Sequence, residues 1–195
     1  MRRSDQVKGV FCIEGIWEQD LRICSTVRPL LELLRVNEAI PYIHRECATG
    51  GEFEFYLGKW PQKRYSKYPI LYLASHGERF GIQLEDSFYD LDRIASIISL
   101  RGRNKFVLIS ACNTLDVDRR HLKRFIQQTS CLAVCGYRSD VEWMRSAAFE
   151  LLLLNEIQEN EYSGRGINAI HKKATQLSKS FPDLEFRIVS SRESA

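Results

Sequence analysis

The chain has 195 residues, is 44% hydrophobic and 27% charged, and carries a formal net charge of only +3. That length and apolar content suit one domain with a substantial core, read here as residues 1–195. The basic residues are scattered, and clusters such as "DVDRRHLKR" are interleaved with apolar positions, so they read as a solvated helix face and speak against a nucleic-acid partner.

The N-terminus "MRRSDQVKGVFCIEG" starts basic but lacks a long apolar region and a small-residue cleavage site, which makes a poor signal peptide. No segment approaches the roughly 20 apolar residues a membrane helix needs. The densest run, "AAFELLLL" from Ala147, is short and contains Glu150. A cytoplasmic protein with no membrane partner is expected.

"KGVFCIEGIW" (8–17) is an apolar run that predicts a first strand. "STVRPLLELLRVNEAI" predicts a helix with Ser25 as its cap and Leu30, Leu31, Leu33 and Leu34 as an apolar stripe. "PYIHRE" predicts a second, short strand, and "GEFEFYLGKWPQ" a helix that ends near Pro61. "YPILYLASHG" is a third strand, apolar on both faces. "FGIQLEDSFYDLDRIASIIS" begins as a small hairpin and becomes a helix near Asp90. "NKFVLISACN" is the fourth strand, "DVDRRHLKRFIQQ" a helix and "CLAVCGY" the fifth strand. Two long helices, "DVEWMRSAAFELLLLNEIQ" and "GRGINAIHKKATQLSKS", precede a sixth strand, "LEFRIVSS".

Strands separated by helices imply right-handed crossovers and a mainly parallel sheet. Near-continuous apolar runs in the third, fourth and fifth strands demand burial on both faces. The predicted fold class is α/β, a three-layer α/β/α sandwich around a six-stranded, mainly parallel sheet.

Six cysteines are present, at positions 12, 24, 47, 112, 131 and 135. With no export signal they are read as free thiols, most of them small buried hydrophobes. "CLAVC" spaces Cys131 and Cys135 as a helical chelate would, but on a strand that spacing spans about 13 Å and cannot close on one ion. "HREC" from His44 lacks a matching second pair, so no metal site is expected.

Two strands end at reactive side chains, His76 and Cys112. In an open parallel sheet, ligands sit outside the carboxyl ends of the strands. Neighbouring strands lie about 4.8 Å apart. Side chains leaving the same edge therefore reach one substrate: a thiolate attacks, and an imidazole takes the proton and returns it to the leaving amine. Gly77 has no side chain and would let a substrate backbone approach; its amide and that of Cys112 would donate to a developing oxyanion. Ser75 and Ser110 are read as local backbone partners rather than nucleophiles. This chemistry calls for no cofactor and no metal.

"ILYLASHG" followed by "FVLISACNT" resembles the caspase-like (clan CD) cysteine peptidases, among them caspases, metacaspases, separase, gingipains and the CHAT peptidases. "AVCGYRSDVEWMRSAAFELLLLNEI" and "INAIHKKA" resemble CHAT segments that follow the nucleophile. The resemblance runs roughly over residues 68–176 and implies a caspase-hemoglobinase-like sheet, with Cys112 as nucleophile, His76 as general base and acid, and a protein or peptide substrate. "SACNT" replaces the caspase signature around the cysteine, which removes the basis for a caspase-style aspartate preference. Asp140 lies where such families place a recognition pocket and Asp116 follows the expected nucleophile, so the two are read either as carboxylates that bind a basic substrate side chain or as two solvated loop acids.

Relatives of this kind also serve as bacterial anti-phage defence effectors. By that analogy the enzyme is expected to rest inactive until an activating partner or nucleotide signal binds, with His44, Arg45 and Arg138 as groups that would meet an anionic signal. Two other readings stay open. One is a catalytically silent caspase-like domain that binds a protein or nucleotide. The other is a nucleotide-binding α/β domain, weakened by the lack of any phosphate-loop pattern.

Overall fold

The structure, a computed structural model, describes residues 7–192. The basic residues 1–6 of the N-terminal segment read above lie outside the described residues. Four central strands are buried along their whole length: β1 (Val10–Gly15), β3 (Ile70–Ala74), β7 (Phe106–Ser110) and β8 (Ala133–Tyr137). Burial on both faces explains why their sequences run apolar rather than alternating. Together with β2 (Tyr42–Cys47) and β9 (Phe186–Ser190) they form a six-stranded sheet in the order β2-β1-β3-β7-β8-β9. Every pairing in it is parallel except that of β8 with the edge strand β9, which is antiparallel.

Alternate residues of each strand feed two separate cores. Phe11, Leu71, Leu73, Val107 and Val134 face α2 (Gly50–Lys59), α3 (Leu91–Ile98) and α4 (Arg119–Thr129). Cys12, Tyr72, Phe106, Leu108 and Cys135 face α1 (Arg28–Glu38), α5 (Trp143–Gln158) and α6 (Gly164–Ser178). The architecture is the expected three-layer α/β/α sandwich around a mainly parallel six-stranded sheet. No helix among the described residues is long and apolar enough to cross a membrane.

Helix starts follow local chemistry with one exception. Thr49 and Glu52 form a reciprocal capping box, and Asp90, Asp118, Glu142 and Ser163 cap the helices that follow them. Ser25 does not cap α1. That helix begins after Val27, whose amide donates to Glu14 Oε1 at 2.7 Å, so a carboxylate from the end of β1 replaces the hydroxyl. Leu33 of the expected stripe is 49% exposed, and Val27, Leu31 and Leu34 carry the packing instead.

Strand β3 stops at Ala74, two residues before His76. His76 opens a short strand β4 (His76–Glu78), which pairs with β5 (Gly81–Gln83), itself paired with β6 (Phe88–Asp90) in a small antiparallel sheet. Ser75 makes the bend, its hydroxyl donating to the Gln83 carbonyl at 2.7 Å. The histidine thus stands on a hairpin anchored at the sheet's carboxyl edge.

Candidate active site

Strand β1 lies between β2 and β3, so the chain leaves β1 to one side and returns on the other. Such a switch opens a crevice at the carboxyl ends of the strands. A cavity of about 230 Å³ occupies it, and both His76 and Cys112 line its wall. His76 is exposed and Cys112 half-buried, in a turn just beyond β7.

Gly77 locks these two positions together. A methyl group built on it would fall 2.3 Å from the Cys112 carbonyl oxygen and 2.7 Å from the Cys112 nitrogen. The absent side chain therefore makes room for the Cys112 backbone, not for a substrate as the sequence reading had it.

The imidazole is fixed from the other side. His76 Nε2 lies 2.7 Å from the Trp17 carbonyl oxygen. A carbonyl only accepts, so Nε2 carries the hydrogen, and Nδ1 keeps the lone pair that a general base needs. The Trp17 indole stands edge-on to the His76 ring at 5.3 Å, and Trp143 stands against Trp17 at 4.7 Å.

Trp17 is held in turn by Glu14, which is 1% exposed. Its two carboxylate oxygens accept from Trp17 Nε1 at 2.6 Å, Val27 N at 2.7 Å, Thr26 Oγ1 at 2.7 Å and His44 Nε2 at 2.5 Å. Burial alone would raise the Glu14 pKa; the bonds from His44, Trp17, Thr26 and Val27 outweigh it and hold the group below its ordinary value of 4.5. A group depressed in this way stabilises the fold above its unfolded pKa, and that contribution is lost as pH falls through the folded one. Glu14→Gln is therefore expected to cost about 2–3 kcal/mol at neutral pH. Urea midpoints measured across pH should show the difference between the two proteins shrinking below the ordinary value of 4.5. A constant difference down to strongly acid pH would contradict this account.

Glu14, His44 and Glu46 also place three donor atoms within 4.8 Å of one another, a spacing a metal could use. The four hydrogen bonds on Glu14 already fill the roughly four lone-pair sites of a carboxylate, which leaves no free position for an ion.

The acids nominated for substrate are engaged elsewhere. Asp140 Oδ1 accepts from Asn113 Nδ2 at 2.5 Å, and Asp116 pairs with Arg79 at 3.2 Å; neither is among the residues lining the cavity. The first contact fastens the turn after Cys112, where Asn113 adopts a left-handed φ of 57° and donates its amide to the Ser139 carbonyl. The Val141 amide donates to Cys112 Sγ at 3.4 Å, from the same loop. The groups read for an anionic signal are taken up locally: His44 by Glu14, Arg45 by the His44 carbonyl, and Arg138 by Glu185 at 3.9 Å.

The six thiols are all free, and they differ sharply. Burial pushes Cys12 and Cys135 well above the ordinary thiol range, and Cys47 and Cys131 up to about 12. Cys24 is exposed and is not itself among the cavity's lining residues, although the neighbouring Ser25 is. Limiting iodoacetamide is expected to mark Cys112 and Cys24 and spare the rest. His76→Ala should slow only Cys112, with Cys24 as an internal reference in peptide mass spectrometry. Equal slowing of both, or preferential marking of Cys131 or Cys135, would remove Cys112 from the chemistry.

The family DUF6642, described as a family of unknown function, matches residues 7–189. No curated protein matches the sequence. Among solved structures the chain is similar to the crystal structure of caspase-1 from Spodoptera frugiperda, with 13% sequence identity and a TM-score of 0.60. The match covers 95% of this chain and 89% of that one. At that identity the likeness establishes a shared fold.

Proposed function

Because the chain belongs to the DUF6642 family, whose function is unknown, its activity has to be read from the site, and we propose that it is a caspase-like cysteine endopeptidase. One observation carries this reading. His76 and Cys112 share the wall of one cavity at the carboxyl ends of adjacent parallel strands, and the Trp17 carbonyl holds Nε2 of the histidine.

The steps follow from those positions. Cys112 Sγ attacks the scissile carbonyl carbon while its proton passes to His76 Nδ1. The amides of Gly77 and Cys112 donate to the oxyanion. The carbon–nitrogen bond then breaks, and His76 returns the proton to the leaving amine. Water attacks the thioester with His76 again as base, the carbon–sulfur bond breaks, and the thiol re-forms.

The test is cleavage of a proteome-derived peptide library, read as new N-termini by mass spectrometry. The protein is assayed alone and with lysate from uninfected or phage-infected cells, because an activating partner or nucleotide signal belongs to the proposal. New N-termini that vanish in Cys112→Ala support the reading. Their absence under every condition overturns it.

A further inference from the structure

We propose that the cavity beside Cys112 takes a lysine or arginine side chain of the substrate, with Glu150 at its inner wall and Glu18 at its mouth. The proposal rests on the peptidase reading and locates its specificity. Apart from the reactive pair, the only ionisable side chains lining the cavity are these two glutamates; no lysine or arginine lines it. An acidic side chain entering there would meet two carboxylates.

Glu150 is 1% exposed, on the first half of α5. Its oxygens accept from the Tyr72 and Tyr137 hydroxyls, the latter at 2.7 Å, and from Ser110. Among the described residues no cationic side chain pairs with it. Three hydroxyls leave one of a carboxylate's roughly four lone-pair sites open. Burial pushes its pKa up, as expected for an anion without a counter-charge. An incoming guanidinium or ammonium would supply that charge in a site already stripped of most water.

The walls suit the rest of such a side chain. The Trp17 and Trp143 indoles line the cavity together with Val27, Val141 and Ala147, an apolar lining for the methylene stem of such a side chain. A volume of about 230 Å³ falls below the roughly 300 Å³ at which pockets for whole small molecules begin, so the space fits one side chain.

The test needs no turnover. Isothermal titration of the full chain compares n-butylguanidine with its neutral isostere n-butylurea and with pentanoate. Butylguanidine is expected to bind about ten- to a hundredfold more tightly than butylurea, the range for a hydrogen bond to a charged group, and pentanoate not at all. Glu150→Gln should bring butylguanidine down to the level of butylurea, with its melting temperature recorded to show that it folds. Glu18→Gln, at an exposed position that cannot disturb the core, should weaken butylguanidine by about two- to fivefold.

Equal binding of butylguanidine and butylurea, or binding of neither, overturns the proposal. So does unchanged affinity in a folded Glu150→Gln. In parallel, peptidyl acyloxymethyl ketones with arginine, leucine or aspartate beside the electrophile are scored by intact mass for adducts on Cys112, whose sulfur displaces the carboxylate. Arginine is expected to label fastest. Faster labelling by leucine or aspartate overturns the basic preference and leaves the peptidase reading standing. Butylguanidine binding with no Cys112 adduct, either for the protein alone or with the same lysates, supports the cation site and removes the peptidase.

Discussion

Cys112→Ala and His76→Ala are each expected to lower peptide cleavage by about four orders of magnitude or more, and the double variant to lose little beyond either one, because groups that act as a unit are not additive. Without the sulfur there is no covalent intermediate; without the imidazole the thiol keeps its proton and the leaving amine has no acid. Both side chains face the cavity rather than either core, so their removal is expected to change stability by no more than about 0.5 kcal/mol. Steady-state kinetics beside urea denaturation separates the two effects. Residual cleavage by Cys112→Ala, or losses that multiply in the double variant, would refute the dyad. A large drop in stability would instead make these residues structural.

Gly77→Ala is expected to lower turnover by about a hundredfold, the scale of a misplacement of about 1 Å at reacting groups, although the substituted atom touches no substrate. The added methyl would meet the Cys112 carbonyl oxygen at 2.3 Å and Ala111 Cβ at 2.7 Å. Backbone on the nucleophile side and a side chain fixed beside it cannot swing away, so either the Cys112 turn or the β4 hairpin must move, and sulfur and imidazole separate. Overpacking of this kind also costs about 1–3 kcal/mol. Gly51→Ala is the matched control, since nothing lies within 4 Å of the added atom and alanine is the better helix former. Full turnover by Gly77→Ala would show that the hairpin does not set the spacing of the pair.

The shared location of His76 and Cys112 was legible because two apolar strands each lead to one of them, and burial on both faces leaves the period-free signature of a central parallel strand. "FVLIS" and "ILYLA" are buried at every position, and the turns after them bring His76 and Cys112 to one cavity. The groups that hold and surround the pair were not legible. Trp17 acts through its backbone carbonyl, which every residue has, so its identity in the sequence carries no trace of the bond to His76. Glu14 reads as one polar residue in an apolar strand, and its partners are 3, 12, 13 and 30 positions away.

Asp140 and Asp116 were nominated by nearness to the expected pocket along the chain, whereas the acids that line the cavity, Glu18 and Glu150, come from the loop after β1 and from α5. "AAFELLLL" offers Glu150 only as a charge in an apolar run; its meaning comes from Tyr72 on β3 and Tyr137 on β8 facing it across the second core.

The sequence by itself determined the layers, the sheet and the placing of His76 and Cys112 at its carboxyl edge. Strand period, apolar run length and turn residues are local and repeat along the chain, so a linear reading recovers them. Tertiary structure alone decided which nitrogen of His76 is free, what fills the space beside Gly77 and which carboxylates face the cavity. Each of these depends on pairs of groups far apart in the chain and a few ångströms apart in space. Such distances follow from packing two helical layers onto one twisted sheet, and no period in the sequence encodes them.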